Sequence, residues 1–205
     1  MPIVSGVKYR LLFSVVLLAS VLGHSLYAGE IVLTDAEVAY ELNHAVSYLI
    51  DADRSLSAEE AYNLRNSFAE FPQESVQIPR EGVMWLHFRL RNNSSHPNWI
   101  VENAMKVELM ELSRYSDGRW RQLDRTGNMV PFSDRKLQTR NPAFELQVQE
   151  NGTAEVLIRL YDYQSASVQL ELIELEAFRA EYQRETFLLG LAFGFFAALI
   201  IYNFI

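Results

Sequence analysis

The residues best suited to recognising a polar molecule lie on one short segment, Met84 to Arg91 (MWLHFRLR), where apolar and polar side chains alternate. If Met84, Leu86, Phe88 and Leu90 enter a core, then Trp85, His87 and Arg89 share the opposite face of an extended strand. Aromatic planes stack on sugar rings and guanidinium groups grip carboxylates through a two-pronged fork. This trio, with Arg135 further along the chain, is therefore the candidate ligand-binding set. The competing arrangement packs Trp85 beneath a loop or inside a second sheet and makes Arg89 and Arg135 structural ion-pairing groups. Large aromatics are mostly buried, which favours this second arrangement.

Catalytic chemistry has no comparable constellation. The sequence contains no G-x-S-x-G elbow, no P-loop, no G-x-G-x-x-G and no H-E-x-x-H, so the expectation is a protein that is not an enzyme. A facing pair of carboxylates on neighbouring strands, as in a glycan hydrolase, is the third-ranked reading. His44, His87 and His96 do not sit at short metal-ligand spacing, and with no cysteine there is no thiolate zinc site, iron-sulfur cluster or disulfide framework. No metal and no cofactor are expected. Asp51, Asp53, Glu59 and Glu60 suggest paired carboxylates or a cation site, but more simply they flank a helix amino terminus, where the dipole favours anions. The net charge of -8 provides no basic footprint for phosphates, which excludes a nucleic-acid partner from the expected set.

These side chains need a frame. Ser57 and Glu60 form an S-x-x-E capping box with Ala61, Leu64 and Phe68 on one face behind it, which predicts a short amino-terminal helix from 58 to about 68. From Met84 the period becomes two. Short alternating runs recur at Trp99 to Val101, Val107 to Leu112, Trp120 to Leu123, Phe144 to Val148, Val156 to Leu160 and Val168 to Leu172. Asp117-Gly118 and Asn151-Gly152 supply turns between them. Six or seven such strands predict a mostly β, antiparallel β-sandwich with one wet face on each sheet.

The two ends are apolar. Lys8 and Arg10 precede the run Leu11 to Leu22, Ala28 offers a small residue for cleavage, and residues 1–28 read as a signal peptide. Its removal takes away two cations and no anion, leaving the exported part more acidic still. Phe187 to Ile205 carries no charge and as a helix is about 28 Å long, which predicts a transmembrane helix. Residues 175–186 are the expected helical juxtamembrane linker, with Phe178 and Tyr182 one turn apart near the membrane surface. Their acidic character places residues 29–186 outside and the span running inward, because Lys and Arg collect on the cytoplasmic side. Gly190, Gly194 and Ala198 line one helix face, a helix-packing stripe suited to membrane partners in a polytopic bundle or a homodimer. The run ends without a basic anchor, which we read as a first span cut short.

Taken together, W-L-H-F-R-L-R-N-N-S at 85–94, D-G-R-W at 117–120, T-G-N-M-V-P-F-S-D-R at 126–135, L-I-R-L at 157–160 and the span from Gly190 form a pattern. It resembles the type-2 extracellular domain and first span of bacterial seven-transmembrane receptors with diverse intracellular signalling modules. The resemblance covers nearly the whole mature chain. It implies a jelly-roll-like sandwich similar to carbohydrate-binding modules, at residues 29–174 in the periplasm of a bacterial inner-membrane protein, sensing a small-molecule or carbohydrate ligand and passing the signal through the membrane. The alternative is a membrane-anchored structural or adhesive sandwich that binds another protein. In the bacterial setting the Asn92, Asn93 and Asn151 sequons are expected to be turn residues.

Overall fold

The computed structural model of the protein describes residues 30–72 and 76–204. The expected signal peptide at 1–28 lies outside the described residues. In chain order the strands are β1 (Glu30–Leu33), β2 (Ala39–Glu41), β3 (Ser47–Asp51), β4 (Ala69–Glu70), β5 (Val76–Gln77), β6 (Val83–Asn92), β7 (Asn98–Asn103), β8 (Leu109–Ser116), β9 (Arg119–Thr126), β10 (Ala143–Gln147), β11 (Thr153–Tyr161), β12 (Ser167–Val168) and β13 (Leu170–Glu174). Helix α1 (Ala58–Asn63) lies between β3 and β4, and α2 (Leu175–Phe204) follows β13. The protein is mostly β with a carboxy-terminal apolar helix, as the alternation predicts.

A seven-stranded sheet runs β4-β3-β6-β11-β8-β9, with β1 also pairing β6, and a four-stranded sheet runs β10-β7-β13-β2. Among the described residues every strand pairing is antiparallel but one. Strand β6 is long enough to carry two partners on one edge: β3 runs antiparallel along its first half, with Ser47 opposite His87, and β1 runs parallel along its second, with Glu30 opposite Arg89. Between the two sheets Met84, Leu86, Phe88 and Leu90 meet Trp99, Val101, Phe144, Leu146 and Leu172, all essentially without solvent contact. The inward half of the β6 pattern is therefore as expected. Truncating a side chain such as Phe88 in this layer costs about 3–5 kcal/mol.

The local turn chemistry follows the sequence as well. Asp117 and Gly118 both take positive φ (53° and 77°), the geometry that lets a two-residue turn follow the twist of β8 and β9. Asn92 is fully buried and donates to the carbonyls of Val148 at 2.8 Å and His96 at 2.9 Å, so this sequon is a structural turn.

The helix at 58 is capped as expected, the Ser57 side chain accepting from Glu60 N–H and the Glu60 carboxylate accepting from Ser57 N–H at 2.8 Å. It ends at Asn63, short of the expected position 68. The N–H of Leu64 is shared between the carbonyls of Glu60 and Ala61, and the chain tightens into a 3-10 turn at Arg65–Ser67 before Phe68 becomes extended.

The larger correction concerns the face of β6 expected to be wet. Residues Val83–Phe88 are buried on both faces, because α1 and the 3-10 turn roof the outer side of the sheet with Ala61, Tyr62 and Phe68. Beyond β13 the chain enters α2 without a loop, and the helix continues unbroken through the boundary expected near 186. It is long and apolar enough to cross a membrane. Leu175 and Phe178 at its base pack on Ile100, Ala143 and Ile173, and Phe178 stacks on Tyr182 with centroids 6.2 Å apart. On the apolar part, a Cβ added at Gly190 or Gly194 would meet nothing within 4 Å.

Candidate functional site

The pleat sends alternate residues of β6, β11 and β8 to the outer face of the seven-stranded sheet, and the register lines them up in rows. One row reads Leu49, Trp85, Arg159, Glu111, Arg125 across five strands, and the next reads Ser47, His87, Leu157, Ser113, Gln122. A third puts Arg89 beside Glu155. Trp85, His87 and Arg89 thus share a face, as their spacing predicts, but they meet different surroundings on it.

His87 lies 4% exposed beneath Tyr62 and Phe68, whose rings cross its imidazole edge-on at 5.7 and 6.2 Å. Its Nε2 stands 3.1 Å from Oε1 of Glu155, and the same oxygen accepts the Tyr62 hydroxyl at 2.9 Å. Burial pulls the His87 pKa below the ordinary imidazole value and outweighs the opposing pull of Glu155. The ring is therefore neutral near neutral pH, donating through Nε2 to the carboxylate. Burial, and then the hydrogen bond to Glu155, hold the Tyr62 hydroxyl above its usual pKa, so it remains a donor.

Trp85 is 3% exposed, and its indole N–H has no acceptor among the described residues, as is also true of Trp120. Arg159 lies over the Trp85 ring, 5.9 Å from its centre, and pairs with Glu111 at 2.8 Å. Arg89 is exposed at the border of this patch. Arg135 is occupied elsewhere: its guanidinium donates to the carbonyls of Val130 at 3.1 Å and Gly127 at 2.7 Å and covers Phe132, clasping the loop after β9. The structure brings three of the four sequence-selected residues to one face and gives the fourth to a loop.

Sequence reasoning did not select the residues that open this patch to solvent. Tyr62, Tyr115 and Trp120 form a wall, with Tyr62 nearly parallel to Tyr115 at 6.2 Å and Trp120 inclined 5.0 Å from Tyr62. Arg65 caps the Tyr62 ring at 4.4 Å. The available signal was Trp120 beside the Asp117-Gly118 turn, which carries Tyr115 and Trp120 as a cross-strand pair. Chemically the arrangement offers aromatic planes, the exposed guanidinium of Arg89, the partly buried one of Arg65 and the carboxylates of Glu155 and Glu111, a set suited to a ligand with both apolar faces and polar groups. Among the described residues no group of three or more His, Asp and Glu is placed to hold a metal ion.

The second part of the site is its connection to the membrane. Glu174, 7% exposed, ends β13, and its carboxylate accepts the N–H groups of Glu176 at 3.0 Å and Ala177 at 2.9 Å, capping α2 from the last residue of the sheet. Sheet and helix are one continuous piece of backbone hydrogen-bonded across the joint.

No curated protein matches the chain. The family model described as 7TMR-DISM extracellular 2 matches residues 43–174, which span the sandwich from just before β3 to the end of β13. With the apolar helix directly behind that domain, this is a membrane protein with a periplasmic segment. The chain belongs to the 7TMR-DISM extracellular 2 family, and its sandwich is the periplasmic sensor domain of a transmembrane receptor.

Proposed function

We propose that the sandwich binds a small polar molecule or carbohydrate in the manner of a carbohydrate-binding module, without catalysing a reaction, and that binding is reported through α2. The observation that carries this reading is the joint at Glu174. A strand of the ligand-bearing domain becomes the membrane helix with no flexible linker, so a change in the sandwich displaces the helix instead of being absorbed by a loop. Tyr62, Tyr115 and Trp120 supply the stacking surface, Arg89 and Arg65 the charged rim, and Trp85 and His87 the support beneath. The Gly190, Gly194 and Ala198 stripe would meet other membrane helices.

The test is a binding screen on the full chain in lipid nanodiscs against mono- and oligosaccharides and small polar metabolites, read as a ligand-dependent rise in melting temperature. The expected result is a saturable rise that Tyr115→Ala and Arg89→Ala abolish. Absence of any such ligand, together with saturable binding to another protein through the same variants' surface, would instead support the anchored adhesive module.

A further inference from the structure

The outer face of the four-stranded sheet carries an arrangement the sensing reading does not use. The register sets Glu41 of β2 opposite Glu171 of β13, and Glu171 opposite Glu102 of β7, so three carboxylates stand in one row. Like charges directly opposite one another weaken a sheet. The adjacent row places Ile173 beside Ile100, and these are the residues on which Leu175 and Phe178 of α2 rest. The carboxylates therefore border the footprint of the helix base. From the helix side Glu181 and Glu185 face the same groove, an open space of about 190 Å³ that also holds Tyr182, Arg140 and Asn141.

The charges around Glu102 do not balance. Glu171 faces it from β13, Glu181 and Glu185 from α2, and Glu145 lies one pair further along β10, while Arg140 is the cation lining the groove and is taken up by Glu185 at 3.4 Å. Burial raises the Glu102 pKa above the usual carboxylate value, the hydrogen bond with Asn141 opposes this, and the charges of Glu171, Glu181 and Glu185 raise it further. On the seven-stranded sheet, by contrast, the signs alternate through Arg159, Glu111 and Arg125, and the pair at its centre is closed.

We infer that the groove is a proton-operated clamp between sandwich and membrane helix: proton uptake at Glu102, crowded there by the carboxylates of Glu171, Glu181 and Glu185, seats the helix base on the sheet, and proton loss loosens it. The geometry supports a mechanical effect because Ile173 and Phe178, which pack the helix base on the sheet, also line the groove. This inference is independent of any ligand on the opposite sheet.

The chain has no cysteine, so a cysteine pair placed at Gln147 on β10 and Gln183 on α2 labels those positions alone. Spin-label distances are measured on the full chain in nanodiscs between about pH 8 and about pH 5, a window above the ordinary glutamate range. The expected result is a broad, longer distribution at the higher pH that becomes narrower and shorter at the lower. Glu102→Gln with Glu171→Gln holds the short distribution throughout. Glu181→Gln leaves the sheet unaltered and moves the midpoint to lower pH, so it decides the matter if the double variant does not fold. A distribution insensitive to pH in the parent, a shift of equal size in the double variant, or an unmoved midpoint in Glu181→Gln overturns the clamp.

Discussion

Oε1 of Glu155 lies 3.1 Å from Nε2 of His87, across a strand pair whose members are 68 positions apart in the chain. Because Tyr62 donates to that same oxygen from α1, the contact ties the roof to the sheet through one atom. It also makes the imidazole a reporter of folding.

Since burial lowers the His87 pKa, the folded protein resists protonating a ring that the unfolded chain protonates readily. The contribution to stability is complete above the unfolded value of about 6.5 and is lost as pH falls below it toward the depressed folded value. Melting temperatures of the parent and His87→Gln, measured in steps from about pH 8 to about pH 5, are expected to diverge in slope. The parent should lose more on acidification, and parallel curves would show that His87 takes up its proton equally well in both states.

Trp85→Ala is expected to cost about 3–5 kcal/mol in chemical denaturation, the range for deleting a buried large aromatic. Trp85→Phe should cost clearly less, because the indole N–H it removes has no acceptor among the described residues. A loss for Ala below about 1 kcal/mol, the level of ordinary surface changes, would mean that Trp85 is not part of the packed outer layer.

Arg89 and Arg135 should separate. Arg89→Ala on an exposed position is expected to leave stability within about 0.5 kcal/mol. Arg135→Ala removes the donor of two loop carbonyls and should cost about 1–3 kcal/mol, with faster amide exchange across residues 127–135. Equal effects would contradict the division between rim and clasp.

Glu174→Ala removes the cap of α2. The expected cost is about 1 kcal/mol, concentrated in the first helical turn. Hydrogen exchange at the Glu176 and Ala177 amides should accelerate while exchange in β6 stays unchanged. Unchanged protection at both amides would show that the first turn is held by packing alone.

The strands with strict alternation, β6, β10, β11 and β13, were legible because one face of each meets the inter-sheet core, and the Asp117-Gly118 turn and the Ser57 cap were legible because their chemistry is local. Strands β1 to β3 were not. They are short, carry Asp or Glu at one end, and owe their extension to the edges they pair with, in one case to a parallel pairing that no local pattern encodes. The site failed for the same reason: Trp85 and His87 were placed on the correct face, but whether that face is wet depends on α1 lying across it. Tyr62 reaches Glu155 over 93 positions, a distance at which residue spacing carries no signal.

The pairing of β1 with β6 also sets a schedule for folding. A chain delivered amino terminus first presents Glu30–Leu33 long before Arg89–Asn92, and β6 in turn waits for Thr153–Tyr161 to cover its other edge. Contacts of such long sequence separation place the sandwich among slowly folding topologies, in the millisecond-to-second regime. During that wait β6, whose inward side chains fill the inter-sheet core, stands with an open edge, so the interval most dangerous for self-association precedes the arrival of β11.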